Sequence, residues 1–271
     1  MTTLVLRELE RVERRVLAAL RCIDAGTRVQ IETPLQVRIE GARVQRNRSG
    51  LYVIVQADAL AAHADAFDAP PPSPDLASVP LQVSIDDAGG RYLPRRAEIL
   101  LPRDPARTSA GAPGPLFQAI ELPLFPAATA PVGANWAVLR VSVREQVSGD
   151  ALGGVLLLAR ANGQVLARAL TDWRGEALLP VPGVPVTTWS DDPHAVVVTE
   201  LAAQLEWVFD PAAGTRVPAA DVRAGRAPAV LPLVDPDALE ADRLTLPHAT
   251  LAVTLAAGRS QSLPPLALAL P

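Results

Sequence analysis

Histidine and cysteine are the side chains best suited to catalysis or metal binding, and the chain has three histidines and one cysteine. His63 lies near Asp65 and Asp68 in the segment HADAFDAP. Neutral imidazole and carboxylates do bind metals, but zinc prefers more His or Cys ligands and calcium prefers a denser loop of oxygen ligands. We therefore interpret the segment as a solvated loop and predict no metal site there.

A second histidine, His194, follows two aspartates in the segment WSDDPHA. His194 with Asp191 or Asp192 could act in acid–base chemistry, but a catalytic triad also needs a nucleophile. Ser190 is adjacent in sequence, which does not make a triad, and no G-x-S-x-G motif occurs in the chain. The simpler interpretation is an Asp-Pro turn before a strand that begins at Ala195.

Cys22 alternates with Leu20 in a predicted strand and should face a core, where a free thiol packs as a small hydrophobic group. A reactive thiol needs a basic, partly exposed environment, whereas the neighbouring Arg21 points to the opposite face of a strand. His248 follows Pro247 and is expected to enter a strand. We therefore predict no catalytic residue, no cofactor and no metal.

Arginines supply one group of candidate partner-binding residues. Basic clusters occur at positions 14–15, 43–48 and 91–96, and the last of them contains Arg95 and Arg96. If such clusters met in the fold, their guanidinium groups could bind phosphate or an acidic partner. Because the net charge is negative, we interpret the clusters as solvated faces and keep Arg95 and Arg96 as possible partner-binding residues.

Tryptophans supply the second group. Trp173 and Trp189 lie near predicted turns, where they could be exposed, whereas Trp207 lies within a predicted strand and is expected in a core. Exposed tryptophan is typical of surfaces that bind proteins or sugars. Packing between domains explains Trp173 and Trp189 equally well.

Composition limits the classes of function. The net charge of −4 provides no global basic field for nucleic acid, so no nucleic-acid partner is predicted. Charged residues interrupt every apolar run near the N-terminus, and no stretch approaches a membrane span. We therefore expect a cytoplasmic protein with no membrane partner, released if at all as part of a particle.

Hydrophobic periodicity predicts a short helix over residues 1–14, although the same residues could start a strand, and it predicts strands thereafter. The 27 prolines argue against long helices and favour short strands between stiff loops. Turn-forming residues separate strands predicted at 16–23, 35–39, 51–57, 79–85, 95–101, 116–124, 136–143, 155–161, 165–171, 176–181, 195–201, 204–209, 250–255 and 262–270.

Four short matches in the same order suggest that the chain is a diverged duplication. Residues 20–23 match 139–142, residues 48–51 match 174–177, and residues 97–101 match 203–207 without a gap; residues 116–124 take the place of 262–270. The predicted domains are therefore 15–124 and 136–271, joined by a linker at 125–135. The second domain contains an insertion of loop character at 211–242, in which 236–242 could form one or two helical turns.

The stretch 140–182 contains three predicted strands, with Asn162-Gly163-Gln164 at one turn and Thr171-Asp172-Trp173-Arg174-Gly175 at the next. Asp can close such a turn with its side chain, and Gly accepts a positive φ. This pattern resembles the carboxypeptidase-regulatory-like and transthyretin-like β-sandwiches. Residues 20–55 resemble a degraded version, with Asn47-Arg48-Ser49-Gly50 at the equivalent turn.

The resemblance does not extend to the catalytic residues of enzymes related to these sandwiches. Intradiol dioxygenases use two tyrosines and two histidines on iron, but the chain has only Tyr52 and Tyr92 and no His-x-His. Hydroxyisourate hydrolases end in Tyr-Arg-Gly-Ser, whereas this chain ends in Leu268-Ala269-Leu270-Pro271.

We therefore predict an all-β protein made of two tandem Ig-like or transthyretin-like β-sandwiches with a short N-terminal helix. The leading functional hypothesis is a non-catalytic structural protein that presents edges and loops to protein partners or to its own copies. Its architecture also resembles the accessory β-sandwich proteins of phage-tail-like contractile particles. The alternatives are a carbohydrate-binding module that uses Trp173 or Trp189, and then an enzyme.

Overall fold

The computed structural model describes residues 16–63, 79–103, 108, 114–133, 135–184 and 200–271, with the side chains of Ala62 and His63 excepted. Several predictions lie outside the described residues. These are the helix over 1–14, the side-chain cluster of His63, Asp65 and Asp68, and the segment that contains Trp189, Asp191, Asp192 and His194.

Seven strands and a 3-10 helix form the N-terminal half of the described chain, and six of the strands coincide with predicted ones. They are β1 (Ala18–Asp24), β2 (Gln36–Ile39), β3 (Ala42–Arg46), β4 (Tyr52–Ala57), the 3-10 helix (Asp58–His63), β5 (Val79–Asp86), β6 (Arg95–Leu101) and β7 (Ile120–Leu124). The sequence missed β3 because this edge strand is exposed along most of its length and carries little apolar alternation.

Two sheets enclose the N-terminal core. One has the order β3-β4-β1-β7 and the other β2-β5-β6. Their inner faces contribute Leu20, Ile54, Val83 and Ile99 to a single cluster of buried residues, as in a β-sandwich. In the first sheet β1 runs antiparallel to β4 but parallel to β7.

Ten strands and two short helices make up the described C-terminal half. They are β8 (Ala137–Glu145), β9 (Ala151–Gly153), β10 (Leu156–Ala161), β11 (Gln164–Leu170), β12 (Glu176–Val181), β13 (Glu200–Val208), β14 (Thr215–Val217), α1 (Ala219–Arg223), α2 (Pro236–Ala241), β15 (His248–Ala256), β16 (Ser260–Ser262) and β17 (Leu266–Leu268). The helical turns predicted at 236–242 are confirmed as α2. The strands predicted at 195–201 and 204–209 are instead one strand, β13, over their described part.

The C-terminal half also has two sheets around one core. The orders are β11-β10-β13-β15 and β12-β8-β9-β14, and β16 and β17 both pair parallel to β8. Leu139, Leu157, Leu179 and Leu205 belong to one cluster that draws on both sheets. The all-β prediction is therefore confirmed at this level, with helix confined to short segments of the described chain.

Pairing relations make the two halves comparable strand by strand. In each half the first strand, β1 or β8, lies between an antiparallel neighbour and a parallel final strand. The chain order β2-β5-β6 corresponds to β10-β13-β15, so β13 is the counterpart of β5. The gapless match of residues 97–101 with 203–207 joins β6, an edge strand of its sheet, to β13, which lies between β10 and β15. Alternation alone repeats in every half-buried strand, so such a short match does not fix which strands correspond.

The segment predicted as a linker packs against both halves. Phe125 is 1% exposed and joins Leu156 and Val234 in a separate buried cluster, against which Leu93 also packs. The backbone amide of Leu93 donates to Phe125 O at 2.9 Å. A fourth cluster, built on Ala130, Val138 and Leu178, covers the other end of the segment. Residues 125–133 are therefore part of the packed junction between the halves.

Within the described part of the chain, no helix has the length and apolar character needed to cross a membrane.

Candidate functional site

Arg95 lies at the centre of the junction rather than on a partner-facing surface. Its side chain is 0% exposed. Nε donates to Arg96 O at 2.9 Å, Nη1 donates to Pro123 O at 2.8 Å, and Nη2 donates to Asp237 Oδ2 at 2.9 Å. The prediction that Arg95 faces a partner is therefore not met in this structure, because burial leaves its guanidinium no accessible surface. A buried cation is tolerated only when its donors find acceptors, and here they do.

The carboxylate partner of Arg95 comes from the start of α2, in the segment predicted as a loop insertion. Asp235 caps this helix by accepting from Asp237 N at 3.0 Å, and Pro236 occupies its first turn. The second oxygen of Asp235 accepts from Glu98 N at 3.0 Å, and Arg96 N donates to Val234 O at 2.7 Å. The segment before α2 thus covers the outer edge of β6, which would otherwise expose unpaired donors.

Helix α2 also binds the C-terminal half through charged side chains. Arg168 on β11 donates to Asp237 Oδ1 at 2.8 Å. Arg160 on β10 contacts Glu206 Oε2 at 3.0 Å and Glu240 Oε1 at 3.2 Å. The helix therefore connects strands of both halves through a continuous set of ion pairs.

The pKa of Asp237 is set by two opposed effects. Burial acts to raise it, but the charges and hydrogen bonds of Arg95 and Arg168 outweigh burial and hold the pKa below its ordinary value. The Asp237 side chain is 57% exposed, so water screens these interactions on one side. Asp237 consequently stays ionised at neutral pH and completes the acceptor set of Arg95.

Arg96 has the opposite orientation from Arg95, because successive side chains on a strand point to opposite faces. It is exposed and lines a groove of about 970 Å³, which we call the arginine groove, together with Arg38, Arg43, Ser84, one carboxylate residue, Glu40, and other residues. The predicted clusters at 43–48 and 91–96 therefore do contribute to one surface. The sequence did not single out Arg38 as a candidate.

An acidic groove of about 520 Å³ adjoins the arginine groove, and Gln82, Arg96 and Leu233 line both. Its acidic lining residues come from β6, from the end of β13 and from the segment around α2; they are Glu98, Asp210, Asp235, Asp237 and Asp242. The surface at this junction therefore changes from positive to negative over a short distance.

Trp173 sits beside a small apolar cavity of about 60 Å³ that Leu93, Leu231 and Pro232 also line. Its side chain is partly buried, and Arg174 Cζ lies 5.8 Å from the centroid of its ring. A sugar-binding tryptophan needs an open ring face, and Arg174 already occupies space above this one. Trp207, by contrast, is buried in β13, as expected.

The chemically reactive side chains that the structure describes lie apart. Cys22 is 1% exposed in the N-terminal core, as predicted, and burial raises the pKa of its thiol to about 12. His248 is the first residue of β15, as predicted, and its Nδ1 lies 2.8 Å from Leu246 O. Among the described residues, no three His, Cys, Asp or Glu side chains are grouped as metal ligands.

The predicted turn at 171–175 has the expected aspartate hydrogen bonds and a glycine with a positive φ. Asp172 Oδ1 accepts from Arg174 N at 2.8 Å and from Glu176 N at 3.0 Å, and Gly175 has a φ of 75°. The turn at 47–50 repeats this arrangement. Asn47 Oδ1 accepts from Ser49 N at 3.0 Å and from Leu51 N at 2.9 Å, and Gly50 has a φ of 76°.

No family model, no curated protein and no solved structure matches this chain.

Proposed function

We propose that the chain is a non-catalytic structural protein that acts as an interaction component of a multi-protein assembly. In this proposal residues 15–124 and 136–271 are two diverged copies of a transthyretin-like sandwich module. The two separate cores support this division, as do the equivalent turns at 47–50 and 172–175. A phage-tail-like contractile particle is the proposed setting.

The observation that carries the proposal is the junction. In the insertion before β15, the carboxylates at the start of α2 bind both halves. They accept hydrogen bonds from Arg95 and the outer edge of β6 in one half and from Arg168 in the other. A component of a large assembly needs such a fixed relation between its domains, because domain motion would be lost on assembly at an entropic cost. An arrangement that only linked two independent domains would not need a buried cation at the interface.

Size measurement tests this proposal. The protein should elute from a native extract of its source cells in a complex far larger than the 28.5 kDa chain, as measured by size exclusion with light scattering. An Arg95→Met variant, with its junction weakened, should shift toward free chain. Elution of the wild-type protein as a monomer, both in the extract and after purification, would overturn the proposal.

A further inference from the structure

Three polar side chains form a straight row across the outer face of the sheet β2-β5-β6. Arg38 on β2 is the register partner of Ser84 on β5, and Ser84 is the register partner of Arg96 on β6. Neighbouring strands lie about 5 Å apart, so the two arginine backbones are about 10 Å apart with a hydroxyl group between them. Register partners point to the same face, which places both guanidinium groups on one side of the sheet.

The arginines of this groove have no ion-pair partner among the described residues. Arg38, Arg43 and Arg96 are all exposed. None of the three forms an ion pair with a carboxylate in the described part of the chain, whereas Arg95, Arg160 and Arg168 all do. Arg38 Nη2 donates to Gln36 Oε1 at 2.6 Å, which leaves most of its donors available.

We propose that the arginine groove binds an extended acidic segment of a partner protein, with two carboxylates received by Arg38 and Arg96. Planar guanidinium groups match carboxylates in a two-pronged geometry. In an extended segment, residues i and i+2 project on the same side about 7 Å apart, a spacing that two long arginine side chains can bridge. The recognised pattern is therefore Asp/Glu-x-Asp/Glu, and Ser84 offers a hydroxyl donor between the two carboxylates.

Charge around the groove favours a short acidic segment over a long polyanion. Beyond Arg96 the surface becomes the acidic groove, where Glu98, Asp210 and Asp242 would repel a continuing negative chain. Nucleic acid carries its phosphates at regular short intervals and gains affinity by neutralising many of them. An acidic pair followed by neutral or basic residues fits both grooves. This inference rests on the proposed function, since it names the partner class for that interaction.

A peptide titration on the full chain tests the inference. Fluorescence anisotropy would compare a labelled peptide with the motif Asp-Ser-Asp and a matched peptide with Asn-Ser-Asn, at about 50 mM and about 500 mM salt. We expect the Asp peptide alone to bind, and its affinity to fall at the higher salt. The double variant Arg38→Ser/Arg96→Ser should weaken binding by about tenfold or more.

Two further variants separate geometry from charge. Arg48→Ser/Arg259→Ser removes the same net charge from exposed sites outside the row and should bind like the wild-type protein. Arg38→Lys/Arg96→Lys keeps the charge but loses the planar fork and should show an intermediate loss. Because Arg38 and Arg96 are exposed, all variants should keep the wild-type melting temperature to within a few degrees.

Three results would overturn the inference: equal binding of the Asp and Asn peptides, unchanged binding by Arg38→Ser/Arg96→Ser, or tighter binding of an oligonucleotide than of the Asp peptide. Its failure is distinguishable from failure of the proposed function. A large native complex without peptide binding would reject the groove as the binding site. Peptide binding by a chain that is monomeric in extract would reject the assembly role instead.

Discussion

The two halves pair their first strand in a similar way but differ at their sheet edges. In the N-terminal half the third strand, β3, pairs with β4, whereas its counterpart β11 pairs with β10 in the other sheet. The C-terminal half also contains the insertion that ends in α2. That insertion covers the edge of β6 in the N-terminal half. The two halves therefore differ most at their sheet edges, whereas both pair their first strand with one antiparallel and one parallel neighbour.

The largest expected effect comes from breaking the contact between the halves. Arg95→Met removes a buried cation and the hydrogen bonds that it donates to Arg96 O, Pro123 O and Asp237 Oδ2. Loss of one partner of a buried pair costs about 3 kcal/mol or more, and the exposure of Asp237 places this site at the lower end. Urea unfolding would measure the change in the free energy of unfolding.

The control for that prediction is the next residue. Arg96→Met changes the same chemical group on the same strand, but at an exposed position with no ion pair to a described carboxylate. Its effect should stay below about 0.5 kcal/mol. Equal losses for the two variants would show that the buried pairing of Arg95 does not stabilise the junction.

An intermediate effect is expected at the equivalent turns. Both Gly175 and Gly50 have a positive φ, which costs an alanine about 1–2 kcal/mol. A Cβ at Gly175 would lie 2.5 Å from the backbone oxygen Val143 O, whereas at Gly50 the nearest atom is the movable end of the Gln30 side chain. We therefore expect Gly175→Ala to destabilise by about 2 kcal/mol or more and Gly50→Ala by about 1 kcal/mol, measured by thermal unfolding. A larger loss at Gly50 would contradict this ranking.

A pH-dependent effect concerns the carboxylates that end β1 and β8. Asp24 Oδ1 accepts from Gly26 N and Thr27 N, and Glu145 accepts from Val147 N and Ser148 N in the same way. Hydrogen bonds from Ser148 and Val147, with a further contribution from Arg216, lower the pKa of Glu145 to about 2 from an ordinary value of 4.5.

Since this pKa is lower in the folded state, the ionised Glu145 contributes stability above pH 4.5, and that contribution is lost as the pH falls toward 2. The free energy of unfolding of the wild-type protein should increase as the pH rises from about 2 to 4.5, and Glu145→Gln should reduce that increase. The exposed Glu40→Gln variant serves as a control for the loss of charge. Identical pH profiles for wild type and Glu145→Gln would contradict this account.

Local patterns in the sequence predicted most of the strands and both equivalent turns, because alternation and turn chemistry are local properties. They did not predict strands and contacts that depend on residues far apart in the sequence. Strands β9 and β14 have three residues each and are too short to show alternation. The hydrogen bond from Arg95 to Asp237 joins residues 142 positions apart, and no local sequence pattern predicts it.

The candidate site was predictable in part. Arg95 and Arg96 were both predicted as possible partner-binding residues. Arg96 is exposed whereas Arg95 beside it is buried, since cluster membership does not reveal which face each side chain occupies. Arg38 was missed because its importance depends on register with Ser84 and Arg96. The row of Arg38, Ser84 and Arg96 can be identified from outward-facing positions only once the register of β2, β5 and β6 is known.

Amide hydrogen exchange at Arg96 and Glu98 reports whether the insertion holds the two halves together. These two amides lie on the outer edge of β6 and donate to Val234 O and Asp235 Oδ2, respectively. If the insertion holds the two halves together, both amides should exchange as slowly as amides inside the sheet, and faster in the Arg95→Met variant. Exchange of both amides at the rate of an unprotected edge in the wild-type protein would contradict the account.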